Sequence, residues 1–211
     1  YIRQAKVPLP DRMHTYNLLL RLGLDDILEP RFLAAVDRGA PPRQQREVWG
    51  LVREGTALNR MLAYDWRYTL AEADLPKVRG STQLAGVAVG YPFLDQGLLD
   101  FSLTLPSEYK LKGQKLRWFF KEALRGFLPD EILAKKKQGF GLPFGVWANR
   151  HEGLKRFATD SLQSLAGRGI VQPAFIHSLL KERLPEHPGY YGEMVWVLMM
   201  LEQWLRAQPP R

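Results

Sequence analysis

Apolar residues recur at intervals of three and four in nearly every segment of this chain that carries them. No segment alternates apolar with polar residues over the length of a strand. These two facts constrain the fold more than any other. A period of about 3.6 residues puts one apolar face on a helix, whereas a period of two puts one on a strand. A mostly α fold is therefore expected.

Residues 1–10, with prolines at 8 and 10, read as a short extended linker, and residues 11–211 as the helical body. Asp11 reads as the N-cap of a helix striped by Met13, Tyr16, Leu19 and Leu20 and ended by Gly23. Short helical segments start at Asp25-Asp26 or Pro30 and run towards Val36; Gly39 to Pro42 reads as a break. Val48, Leu51 and Val52 give another helix, interrupted near Gly55. Leu58, Met61, Leu62, Trp66 and Leu70 continue the spacing to Asp74, and Leu75-Pro76-Lys77 opens a new helix with proline in its first turn. Asp95 reads as the cap of a helix over 96–105 that turns Leu98, Leu99, Ser102 and Leu103 inward. Helical patterns over 152–165, 173–184 and 193–205 close the chain. The last is apolar nearly all round and reads as a central buried helix, too short to span a bilayer and flanked by Glu193 and Glu202.

Composition narrows the function classes. At 211 residues and 45% hydrophobic, the chain is large enough to bury a core. It has no cysteine, which excludes disulfides, thiolate metal sites and a cysteine nucleophile. The formal net charge of +8 suits nucleic acid, an anionic membrane or a phosphate-bearing substrate. His14, His151, His177 and His187 lack metal-ligand spacing, and no metal site is expected. Asp25-Asp26 with Glu29 read as helix-start charges, and Ser81-Thr82 as helix positions. The chain begins at Tyr1 without a signal peptide, so a piece of a longer cytoplasmic protein is expected.

The stretch from Lys110 to Trp147 concentrates the chemistry. Leu116, Phe119, Phe120, Ala123 and Leu124 fall on one helical face, and Arg117, Lys121 and Arg125 on the other. Gly126 and Pro129 stop that helix, and Pro129-Asp130-Glu131 opens a second with acidic residues at its positive end. Lys135, Lys136 and Lys137 then run into Gln138-Gly139-Phe140-Gly141. Ammonium groups beside open backbone N–H groups are the combination that holds phosphate.

Several segments recur in the order and spacing of a known family. They are Lys77, Tyr91-Pro92-Phe93-Leu94-Asp95, Leu105-Pro106-Ser107, Leu111-Lys112-Gly113, Lys121 to Gly126, Leu128-Pro129 and Lys137 to Pro143. From Lys77 to Trp147 the chain resembles the C-terminal part of the synthetase domain of glutamine-hydrolysing asparagine synthetases, a family that includes the β-lactam synthetases. The resemblance implies the helical C-terminal lobe of an adenine-nucleotide α-hydrolase-like (ATP pyrophosphatase) synthetase domain, without its parallel sheet and pyrophosphate loop. It also implies a ligase that adenylates a carboxylate with ATP and forms an amide from glutamine-derived ammonia. Lys77 and Lys137 match the family's two phosphate-facing lysines. Lys137, Gln138 and Gly139 would meet the nucleotide, and Lys135 and Lys136 would be solvated neighbours. The full-length protein would use ATP and magnesium, with no cofactor expected on this chain alone. The partners would be the ATP-binding and glutaminase regions upstream in the same chain and a small-molecule carboxylate, not a membrane or nucleic acid.

Departures bear on the substrate. Where the family has Asp, Arg, Glu and Arg, this chain has Arg79, Gly80, Ala88 and Gly90. Ala88 removes a carboxylate and Gly90 a bidentate guanidinium, so the acceptor acid is open. The family's Ser-Gly-Gly-x-Asp-Ser and Ser-Gly-Glu-Gly-x-Asp-Glu loops are absent, and this chain alone is not expected to catalyse. The alternative is a non-catalytic binding or scaffold module that keeps the fold and presents a basic surface to an acidic partner or nucleic acid.

Overall fold

The computed structural model describes residues 2–53, 55–136, 139 and 141–209. Among these residues the chain is helical, with backbone pairing outside helices limited to isolated bridges. The expected mostly α fold without a parallel sheet holds. The chain divides into two compact units, Tyr1–Gln44 with Gly139–Arg211, and Gln45–Gln138.

The first unit is organised on the helix Pro188–Ala207, against which the helices Phe144–Arg150 and Glu152–Ala166 pack. Glycine sets the first of these contacts. A Cβ on Gly145 would come within 2.7 Å of Gly192 Cα, and one on Gly192 within 2.6 Å of Gly145 N. The two helix backbones touch, which only residues without side chains allow. Around the crossing Leu162, Leu165, Leu179, Met194, Val195 and Leu198 are buried. The early and late parts of the chain are joined by Gln172, whose Nε2 donates to the carbonyls of Asp25 (2.7 Å) and Leu28 (2.9 Å).

Among the described residues of this unit one charged side chain is buried. Glu202 is fully buried and accepts from Arg168 Nε (2.6 Å), Ser164 Oγ (2.7 Å) and Arg206 Nε (2.7 Å). Burial alone would push its carboxyl up, but these hydrogen bonds outweigh it and pull the pKa down to about 2.

Local differences from the sequence expectations have physical causes. Residues 2–5 of the expected extended linker form a turn of helix, Ile2–Ala5. Asp11 is the first helical residue rather than a cap, and the expected helix through Leu20 is split by Asn17, whose side chain accepts from the N–H groups of Leu19 and Leu20. Pro41 and Pro42 do not break the chain. They sit in the first turn of the helix Ala40–Leu51, where a proline N–H would be unpaired anyway. The helix Pro188–Ala207 is buried on one face only, since Trp196, Val197, Met200 and Trp204 are exposed. Its expected burial all round is therefore corrected: neighbouring helices cover one side of it.

In the second unit Thr56 caps a continuous rod made of Ala57–Asp65, a wider π-type stretch Trp66–Asp74, and Leu75–Leu84. The expected new start at Leu75 is not there. Pro76 lacks an N–H and its ring would press on the preceding turn, and the widened winding upstream relieves this. Leu75 N accordingly donates to Leu70 O. The first unit repeats the device: a π-type stretch Leu179–Arg183 precedes Leu184-Pro185, and Leu184 N donates to Leu179 O.

Tyr64 is buried in the second unit, its ring centroid 4.6 Å from that of Tyr68 and 6.4 Å from that of Trp49. Asp95 caps the helix Gln96–Thr104 as expected, accepting from Gly97 N and Leu98 N. Leu98 and Leu103, expected to point inward, are exposed. Leu133 is the other buried apolar side chain among the described residues of this unit, so few elements are available to cover that helix.

Candidate functional site

The segment after Ser107–Lys110 is not the long amphipathic helix its periodicity suggests. Gly113 takes a positive φ of 60° in a tight turn closed by Lys115 N donating to Lys112 O (3.1 Å). Arg117 adopts a left-handed φ of 56°, which is strained for a residue with a side chain. Helix begins only at Trp118 and ends at Ala123, which leaves Leu116 and Phe120 exposed. Lys112 Nζ lies 4.0 Å above the Trp118 ring, a cation–π contact that fixes the turn against the helix. The second helix, Asp130–Ala134, forms as expected with Asp130 and Glu131 in its first turn.

Turn and helices enclose a cleft of about 630 Å³. Its cations are Lys115, Arg117, Lys121, Arg125, Lys135 and Lys136, and its carboxylates are Glu122 and Asp130. One of those carboxylates is already committed. Glu122 accepts from Arg125 Nε (3.1 Å) and Nη2 (2.7 Å), and these bonds, with Lys115 and Lys112 nearby, hold its carboxyl below the usual range. The excess of positive charge in a concave site suits a polyanion such as a polyphosphate. Lys135 and Lys136, expected only as solvated neighbours, line this cleft. Sequence reading missed the cleft because Lys115 and Arg117 reach it from a turn, although the basic face of Lys121 and Arg125 was visible in the pattern.

The residues singled out from sequence fare differently. Lys77 is exposed and ion-paired with Asp74, Nζ to Oδ1 2.7 Å, and it does not line the cleft. Lys137 and Gln138 lie outside the described residues. Gly139 and Gly141 stand in irregular chain, and a Cβ at either would meet nothing within 4 Å among the described residues. The substituted positions Ala88 and Gly90 are exposed, in irregular chain between the helix Leu75–Leu84 and the turn Pro92–Leu94. Beside them the Tyr91 hydroxyl is buried with no hydrogen-bond partner among the described residues. No cluster of three or more potential metal ligands occurs among the described residues, and no helix there is long and apolar enough to cross a membrane.

The fold and these motifs define a class. The sequence model of the asparagine synthase family matches residues 3–206, and the chain belongs to that family. Among characterised relatives it is similar to asparagine synthetase [glutamine-hydrolyzing] 1 of Bacillus subtilis (strain 168), with 20% identity over 147 residues. That alignment covers 70% of this chain and 23% of the relative, so the chain spans about a quarter of its relative's length. No solved structure matches.

Proposed function

We propose that this chain is the C-terminal region of an asparagine-synthetase-like, ATP-dependent ligase. Such an enzyme adenylates a small carboxylate, releases pyrophosphate and then forms an amide from glutamine-derived ammonia. The observation that carries the reading is the family match across residues 3–206, which includes the Lys137 to Pro143 motif. The basic cleft that ends in Lys135 and Lys136 supports it, because Lys137 follows directly and charge grows on the leaving pyrophosphate in the transition state. ATP and magnesium would be bound by the full-length protein, together with its upstream ATP-binding and glutaminase regions. Within this chain Lys137, Gln138 and Gly139 would face the nucleotide and Lys77 would assist. Arg79, Gly80, Ala88 and Gly90 leave the acceptor acid open, and the protein would work in the cytoplasm.

Steady-state kinetics of Lys137→Ala in the full-length protein test this. A contact made mostly in the transition state lowers turnover by roughly a hundredfold or more while the KM for ATP changes little. An exposed control such as Lys6→Ala should leave turnover unchanged. Equal, small effects from both variants would remove Lys137 from the chemistry.

A further inference from the structure

A second concave site lies in the first unit, lined by none of the residues given a role in the proposed ligase chemistry. It is a cavity of about 380 Å³, within the size range of small-molecule pockets. Its floor is apolar: Ala148, Ala158, Ile176 and Leu184 line it and are all buried. Its rim carries Lys155 and Lys181, from two different helical segments, with Asn149 and His177 beside them. Among the described residues no Asp or Glu lines the cavity, and neither lysine ammonium makes an ion pair or hydrogen bond.

Lys181 and Leu180 come from the π-type stretch Leu179–Arg183 that precedes Pro185. Small side chains on the facing helices keep the floor open, where leucine at Ala148 or Ala158 would fill it.

We propose that this cavity binds a short-chain organic monocarboxylate. The aliphatic body would occupy the alanine-lined floor and the carboxylate would be held at the rim by Lys155 and Lys181. The apolar floor disfavours inorganic anions, and the unpaired ammonium groups disfavour neutral molecules of the same shape.

Hexanoate is the probe, titrated into the full-length protein and followed by the methyl NMR signals of Ala148, Ala158, Ile176 and Leu184. The expected result is saturable shifts confined to those methyls. Hexanamide and inorganic phosphate should each bind at least about tenfold more weakly than hexanoate. The double variant Lys155→Met/Lys181→Met should lose at least about tenfold in hexanoate affinity and bind hexanamide as before. Absence of saturable shifts at these methyls in the unaltered protein would overturn the proposal. So would phosphate binding as tightly as hexanoate, or unchanged hexanoate affinity in the lysine variant. Because both lysines are exposed, their replacement does not endanger the fold, and the unaltered protein decides the location by itself.

Discussion

Acid should destabilise this fold through Glu202 in particular. The carboxylate is fully buried and is held by Arg168, Ser164 and Arg206 at 2.6–2.7 Å. Its pKa falls from the ordinary 4.5 to about 2 in the folded chain. A folded-state pKa below the unfolded one adds stability that is fully present above about 4.5 and lost as pH drops through about 2. At about 1.4 kcal/mol per pH unit, the full contribution is on the order of 3 kcal/mol. Partial exposure of both arginines screens the pairs, so about 2 kcal/mol is the working figure. The assay is urea denaturation of the chain from pH 7 to pH 2.5, comparing the unaltered protein with Glu202→Gln. The glutamine variant should be less stable at pH 7, and the gap should narrow by about 1.5 kcal/mol by pH 2.5. A gap that stays constant with pH would refute the assignment of this carboxylate as the charged, clamped group.

Two further outcomes follow from the packing. Gly145→Ala puts a Cβ within 2.8 Å of the Pro188 carbonyl carbon, backbone that cannot swing aside, and should cost about 3 kcal/mol in the same denaturation assay. Tyr64 is pushed up to about 12 by burial, with Tyr68 and Asp65 adding to it. Because that phenol is favoured neutral in the fold, its stabilising effect is complete below pH 10 and lost as pH rises through about 12. An ultraviolet titration should show a late-ionising tyrosine that disappears in Tyr64→Phe.

What was legible in the sequence is what depends on near neighbours. The Asp95 cap, the acidic start of Asp130–Ala134 and the helix through Val195 to Leu205 all follow from residues within a turn or two. What was not legible depends on partners far along the chain. Gly145 and Gly192 look like ordinary glycines until two backbones are brought together. Glu202 reads as a polar flank of an apolar helix, because Ser164 and Arg168 are 38 and 34 residues away. The basic cleft was half visible: Lys121 and Arg125 keep helical spacing, whereas Lys115 and Arg117 are delivered by a turn that no hydrophobic period reports. The second unit shows the limit of periodicity from the other side. Leu98 and Leu103 carry an inward-facing pattern, yet they are exposed for want of elements to cover them.

Isotope tracing tests the proposed ligase chemistry most directly. The full-length protein is supplied with ATP, glutamine and an acceptor acid labelled with ¹⁸O in its carboxylate, and the phosphorus products are analysed. Adenylation moves one carboxylate oxygen onto AMP when ammonia displaces it, so labelled AMP and unlabelled pyrophosphate should form in step with the amide. Label in inorganic phosphate with release of ADP would mean an acyl phosphate instead. That result, or no carboxylate-dependent ATP cleavage with any acid tried, would contradict the assignment.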